Sequence, residues 1–130
     1  MKIILDTNFL LIPGTLKIDV FSQIKEAVPK AKLYIVDETL SELRKISRDK
    51  EQKKRHREAA KLAIQFINKF NIRILSSKTT SFKNVDELIL KIAKRGGFAV
   101  ATQDQGLKRL LRTNQVQILI LRQKKYIKIE

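Results

Sequence analysis

Short apolar runs alternate with amphipathic stretches along the whole chain, and this alternation limits the folds that it can adopt. The apolar runs are rich in β-branched residues and predict buried strands at residues 2–5, 33–36, 72–75, 98–101 and 117–121, with an edge strand at 126–129. Helical stripes predict helices at residues 19–28, 37–47, 59–70, 85–95 and 104–112, whereas Pro13-Gly14 and residues 76–84 predict loops. Strands that alternate with helices predict a three-layer α/β/α fold, in which helices cover both faces of a central, mostly parallel sheet.

The length and composition set further limits on the kind of protein. A chain of 130 residues is expected to form a single domain over residues 1–130. It has no cysteine, which excludes disulfides, zinc–cysteine sites and thiol nucleophiles. No apolar run approaches the length of a membrane span and no signal-peptide pattern opens the chain, so we expect a cytoplasmic protein that does not associate with membranes.

Four acidic residues occupy positions where a ligand site of such a fold is expected. Asp6 directly follows the first predicted strand and Asp104 follows the fourth, while Glu42 lies one turn into the helix after the second strand and Asp86 opens the helix before the fourth. Ligands of open α/β sheets bind in the crevice outside the carboxyl ends of the strands. If the first and fourth strands are neighbours, all four carboxylates converge on one crevice.

Each acid also has a purely structural explanation. Asp6 could form an Asx-turn, Glu42 could be a solvated helix residue, Asp86 could stabilise the dipole of its helix, and Asp104 could be an N-cap. Helix caps do not explain why carboxylates follow both of the presumed central strands. The set as a whole therefore favours a functional site over four unrelated structural roles.

A cluster of carboxylates predicts a site for a hard divalent cation. Crowded carboxylates repel one another unless a cation neutralises them, and oxygen ligands suit Mg²⁺ or Mn²⁺. Such an ion can activate water and stabilise the charge that develops on a phosphodiester, so no protein nucleophile is required. The single histidine, His56, lies in the charged run 53–57 and is expected to be a solvated surface residue.

The charge of the chain predicts a polyanionic partner. The sequence contains 28 Lys and Arg residues against 13 Asp and Glu residues, which gives a formal net charge of +15. An excess of this size predicts salt-sensitive association with nucleic acid. Two basic groups are candidates for phosphate contacts, although the first could equally be a solvated helix face: Lys53, Lys54 and Arg55 before the long helix, and Lys108, Arg109 and Arg112 after Asp104. Because aromatic residues are few, we expect recognition of the backbone and shape rather than of a base sequence.

Taken in order, these residues resemble the PIN-domain nucleases. The resemblance consists of Asp6-Thr-Asn8 after an N-terminal strand, Glu42 in Ser-Glu-Leu, Asp86 ahead of Leu-Ile, and Ala101-Thr-Gln-Asp104, and it spans essentially the whole chain. It implies a divalent-metal-dependent endoribonuclease in which Asp6, Glu42, Asp86 and Asp104 are the catalytic, metal-binding acids. Asn8 and Thr102 would be supporting polar residues, and Glu87 a substitute ligand.

Within the family, the chain looks most like the branch that cleaves precursor ribosomal RNA of the small subunit. The start Asp-Thr-Asn-Phe-Leu-Leu-Ile-Pro, the basic segment 107–112 and the basic end Arg122-Gln-Lys-Lys-Tyr126 carry this resemblance. It implies precursor ribosomal RNA as partner, with ribosome assembly factors as candidate protein partners. Exposed apolar faces on the first helices could instead pair two copies in a homodimer. The alternatives are a toxin-type PIN ribonuclease of a toxin–antitoxin pair and a catalytically weak RNA-binding assembly factor. Gly106 departs from the pattern, because relatives often carry a further acid there.

Overall fold

A computed structural model describes residues 1–130 and contains one six-stranded sheet covered by helices. The strands are β1 (Lys2–Leu5), β2 (Lys32–Val36), β3 (Arg73–Leu75), β4 (Ala99–Ala101), β5 (Ile118–Arg122) and β6 (Tyr126–Ile129). The helices are α1 (Thr7–Leu10), α2 (Ile12–Leu16), α3 (Val20–Ala27), α4 (Asp37–Arg48), α5 (Lys54–Lys69), α6 (Val85–Gly96) and α7 (Gln105–Thr113). None of these helices combines the length and the apolar character that crossing a membrane requires.

The sheet has the order β3-β2-β1-β4-β5-β6, and this order determines where a ligand can bind. All neighbouring strands are parallel except β5 and β6, which form an antiparallel pair at one edge. The order reverses between β1 and β4, and such a switch point opens a crevice at the carboxyl ends of the two strands. Since Leu5 is in register with Ala101, the polar residues that follow these two positions lie next to each other.

Alternate residues of each strand face opposite sides of the sheet and divide the protein into two hydrophobic cores. On β1, Ile3 and Leu5 belong to one core, together with residues of helices α1 to α5, while Ile4 belongs to the other, together with residues of α6 and α7. Strands buried on both faces explain why these runs are apolar throughout. The predicted α/β/α architecture with a mostly parallel sheet is therefore confirmed.

The prediction of a loop at Pro13-Gly14 is wrong, because residues 12–16 form the short helix α2. Proline is tolerated in the first turn of a helix, where its missing N–H group costs nothing. Glycine is needed for a close contact between helices, since a Cβ at Gly14 would lie 2.5 Å from Cα of Ala59 on α5. The glycine therefore allows α2 and α5 to approach each other and does not form a turn.

Candidate functional site

Asp6 is held in a buried position at the junction of β1 and β4. Only 7% of its surface is exposed, and its backbone N–H donates a 3.0 Å hydrogen bond to the carbonyl of Ala101. Its carboxylate accepts two more hydrogen bonds, from the N–H of Thr7 at 2.9 Å and from the hydroxyl of Thr102 at 2.9 Å. Both of its oxygens therefore have partners from two different strand ends.

Thr102 connects the two acids that follow the central strands. Its fully buried hydroxyl donates to Oδ2 of Asp6 and accepts a 3.1 Å hydrogen bond from the N–H of Asp104. Asp104 is the N-cap of α7, and its Oδ2 accepts a 2.7 Å hydrogen bond from the N–H of Leu107. Asp104 thus has the capping role considered for it, and one threonine hydroxyl bonds both the carboxylate of Asp6 and the backbone of Asp104.

The electrostatics link Asp6, Asp104, Asp86 and Glu42. Burial raises the pKa of Asp6 from 3.8 to about 6, the hydrogen bonds from Thr102 and Thr7 oppose this rise, and the negative charges of Asp86 and Asp104 add to it. The pKa of Asp86 is also raised, first by burial and then by the charges of Asp104 and Glu42. The pKa values of Asp6 and Asp86 are therefore raised in part by the negative charges of neighbouring acids, Asp104 among them in both cases.

The side chains of this cluster have the donor chemistry that suits a hard divalent cation. The structure shows no group of three or more acid or histidine side chains already arranged to hold an ion. Oδ2 of Asp104 caps α7 and both oxygens of Asp6 accept hydrogen bonds, while the remaining negative charges repel one another. A cation would offset this repulsion and the cost of burying Asp6, and its oxygen donors are those that Mg²⁺ and Mn²⁺ prefer.

The other acid and polar candidates differ in their surroundings. Asn8 is exposed on α1, two residues after Asp6. Glu87 forms a 3.0 Å salt bridge with Lys91, and the hydrogen bond and charge of that lysine hold the pKa of Glu87 below its usual range. Its charged neighbours are lysines, so the structure gives no support to Glu87 as a substitute metal ligand.

Position 106 borders the acids, although no side chain is present there. A Cβ at Gly106 would lie 3.3 Å from Oδ2 of Asp104. An acidic side chain at this position would therefore place a further negative charge beside Asp104. With glycine there, the cluster lacks that charge.

The basic group on α7 is less accessible than the sequence suggested. Lys108 is only 8% exposed because it lies on the inward face of the helix between Leu107 and Leu111, so it is not presented to an RNA strand as predicted. Arg112 is exposed but forms a salt bridge with Glu130 from the end of the chain. Arg109 is exposed and has no salt-bridge partner, so it is the member of this group that is free to contact phosphate.

The basic group before α5 lies on the surface. Lys53, Lys54 and Arg55 are all exposed, and they surround the junction between the loop that follows α4 and the first turn of α5. Lys54 makes only a 4.0 Å contact with Glu58, whereas Lys53 and Arg55 have no acidic partner.

Asp37 has a structural role that the sequence did not reveal. It follows β2 directly, yet its Oδ2 accepts hydrogen bonds from the N–H and the hydroxyl of Ser77, at 2.9 and 3.0 Å. This acid therefore fixes the start of the loop after β3 and is engaged away from the cluster. Its partner is 40 residues away in the chain, so no local pattern could have predicted the pair.

The family model described as a PIN-like domain matches residues 3–124. The chain belongs to the PIN-like domain family. It is 32% identical to Ribonuclease VapC4 of Methanocaldococcus jannaschii, over 98% of this chain and 95% of that protein.

Solved structures show the same PIN-like fold. The PIN domain endonuclease Utp24 superposes with a TM-score of 0.78 at 25% identity, covering 99% of this chain and 90% of that one. VapBC2 from Rickettsia felis, in a structure bound to a promoter DNA fragment, superposes with a TM-score of 0.66 at 15% identity, covering 92% and 98%. The resemblance inferred from the acids is thereby confirmed at the level of the family.

Proposed function

We propose that this protein is a divalent-metal-dependent endoribonuclease that hydrolyses phosphodiester bonds within RNA. The observation that carries the proposal is the pairing of Asp6 and Asp104 through the buried hydroxyl of Thr102, with Asp86 and Glu42 coupled to them electrostatically. Perturbed pKa values caused by burial and by neighbouring carboxylates, as at Asp6 and Asp86, are typical of a functional site. Membership of the PIN-like family, the likeness to a protein named a ribonuclease and the likeness to a PIN domain endonuclease support the same activity.

The chain's own residues have separate roles in this proposal. Asp6, Glu42, Asp86 and Asp104 would hold Mg²⁺ or Mn²⁺, which when bound supplies an activated water and stabilises charge on the phosphate. Thr102 orients the carboxylate of Asp6 and holds the backbone of Asp104, whose own carboxylate is oriented by the N–H of Leu107. Arg109 is free to bind a phosphate of the same strand.

We propose precursor ribosomal RNA of the small subunit as the substrate. The residues at the start and end of the chain that resemble this branch support the choice, and so does the net charge of +15, which suits a large structured polyanion. The likeness to Ribonuclease VapC4 supports a second candidate, a toxin-type ribonuclease. Growth arrest on expression in bacteria, relieved by Asp104→Asn, would favour that candidate over ribosomal RNA processing.

The activity is tested by incubating a structured precursor ribosomal RNA fragment with the protein in Mn²⁺, in Mg²⁺ and in EDTA. Asp19→Asn is a matched control for Asp104→Asn, because Asp19 caps α3 in the same way that Asp104 caps α7, and asparagine is an equally good N-cap. We expect metal-dependent cleavage by the wild type and by Asp19→Asn, and a loss of at least about a hundredfold in Asp104→Asn.

The controls separate the possible failures. Asparagine keeps the N-cap in both Asp104→Asn and Asp19→Asn, so the two variants differ in the position of the lost carboxylate. Equal activity in Asp104→Asn and the wild type would therefore reject the assigned site. Salt-sensitive RNA binding without cleavage under any metal would reject the nuclease and favour an RNA-binding assembly factor.

A further inference from the structure

A groove adjoins the acid cluster and contains residues to which the proposed chemistry assigns no role. It encloses about 520 Å³, within the range of about 300–1,000 Å³ that is common for ligand sites. One wall carries Asn8, two residues after Asp6, and Gln103, which directly precedes Asp104. Arg55 and His56, in the first turn of α5, also line the groove. The groove therefore runs from the acids toward the basic segment before α5.

Four polar side chains of this groove have hydrogen-bonding capacity that the protein itself does not use. The side chains of Asn8, Gln52, Arg55 and His56 make no hydrogen bond within the chain, and Arg55 has no acidic partner. His56 is half-buried, so it is not the solvated surface residue expected from its charged sequence context. Gln103 differs from these four, because both atoms of its amide group are bonded to the backbone of Leu121, at 3.1 and 2.8 Å.

The loop that presents these groups is fixed in place. Nη1 of Arg57 donates hydrogen bonds to the carbonyls of Gln52 and Lys50, at 2.6 and 3.3 Å. The N–H groups of His56 and Arg57 both donate to the carbonyl of Lys53, at 2.9 and 3.1 Å. The groove is therefore preorganised, which reduces the entropy lost when a ligand binds.

We infer that this groove binds one nucleotide of a single-stranded RNA segment next to the scissile phosphate, an inference that rests on the proposed ribonuclease activity. Arg55 binds the phosphate, since a guanidinium without an acidic partner is suited to a phosphate oxygen. Asn8, Gln52 and His56 hydrogen-bond the ribose or the base. The side chains of Leu16 and Ile46 add an apolar wall for the face of an unstacked base. A duplex keeps its bases stacked inside and leaves that wall unused.

The inference is tested by measuring RNA affinity in EDTA, so that no RNA is cleaved. Arg55→Gln and His56→Ala are compared with Arg73→Gln, which removes the same charge from an exposed arginine at the amino end of β3, away from the acids. A short single-stranded oligoribonucleotide and a duplex of the same length serve as probes, each over a range of salt concentrations.

We expect Arg55→Gln and His56→Ala to weaken binding of the single strand by about fivefold to tenfold, while Arg73→Gln has no effect. The dependence of log affinity on log salt should become shallower by about 0.7 in Arg55→Gln, as for the loss of one phosphate contact on a single strand. Binding of the duplex should change less than twofold. In cleavage assays Arg55→Gln should raise KM.

The contrary results are equally specific. Single-strand affinity that is the same in Arg55→Gln and Arg73→Gln, or an equal loss on single strand and duplex, would overturn the groove assignment. A protein that binds through the groove but never cleaves RNA would instead reject the ribonuclease proposal, so the two failures are distinguishable.

Discussion

Replacing Asp6 by asparagine should stabilise the metal-free protein at neutral pH while it abolishes catalysis. The reason is the burial of the carboxylate, which raises the pKa of Asp6 from 3.8 to about 6. A pKa that is higher in the folded state means that the ionised group destabilises the fold. Asparagine carries no charge at any pH, so it removes this cost from the native state.

The magnitude follows from the pKa of Asp6 and from its hydrogen bonds. The difference between 3.8 and about 6 corresponds to about 3 kcal/mol at pH 8, where the carboxylate is ionised in both the folded and the unfolded protein. Against this, the hydroxyl of Thr102 loses its carboxylate acceptor, which costs about 1 kcal/mol. The net gain in the free energy of unfolding should be about 2 kcal/mol.

The pH dependence gives the sign of the effect. Below pH 3.8 Asp6 is protonated in both states of the wild type and carries no charge penalty. Between pH 3.8 and about 6 the unfolded carboxylate is ionised while the native one is still protonated, so the wild type loses stability relative to Asp6→Asn over this window, and the difference is constant above it. We expect the variant to be slightly less stable than the wild type near pH 3.5 and about 2 kcal/mol more stable at pH 8.

The measurement is urea unfolding at a series of pH values in EDTA, with Asp19→Asn as the contrasting variant. Hydrogen bonds from Ser22 lower the pKa of Asp19, so the ionised carboxylate stabilises the wild type. Asp19→Asn should therefore become less stable relative to the wild type as pH rises. Adding Mg²⁺ should stabilise the wild type more than Asp6→Asn, because only the wild type keeps the full set of acids. A pH-independent difference between Asp6→Asn and the wild type, or destabilisation at pH 8, would refute the reasoning.

Two further predictions concern single contacts. Thr102→Val should lower kcat by about tenfold to a hundredfold with little change in KM, because it removes the hydroxyl that connects Asp6 to Asp104. Thr102→Ser keeps a hydroxyl and should restore the rate, so a serine variant as slow as the valine variant would show that the hydroxyl is not responsible. Gly14→Ala should lower the free energy of unfolding by about 1–3 kcal/mol in urea titrations, because the added Cβ would collide with Ala59. A variant as stable as the wild type would show that α2 and α5 can separate without cost.

Much of the architecture depends on local patterns and was predictable. Apolar runs and helical stripes identify all six strands and the five longer helices, because periodicity reports directly which side chains are buried. Boundaries shift by one or two residues, except that α5 begins at Lys54, ahead of its apolar stripe. The positions of the four acids, after strands or within helices, are also local properties, and their assignment as the metal site stays a prediction.

The details of the site depend on contacts that local patterns do not encode. The hydroxyl of Thr102 reaches a carboxylate 96 residues away, and this contact exists only because β1 and β4 are neighbours in register. Likewise, Arg112 is not free to bind phosphate because it forms a salt bridge with Glu130, which lies 18 residues away in the chain. Exposure cannot be inferred from residue type either, since Lys108 is buried by the packing of α7.

The sequence by itself determined the order of strands and helices along the chain and their alternation, which buries the sheet on both faces. It also determined which acids follow the strands at the carboxyl edge of the sheet. Only the tertiary structure decided which acids share a hydroxyl, which cations remain free and where His56 lies. The physical reason is that periodicity records the burial of each element separately. The convergence of Asp6, Asp104 and the groove beside them depends on how strands far apart in the chain become neighbours.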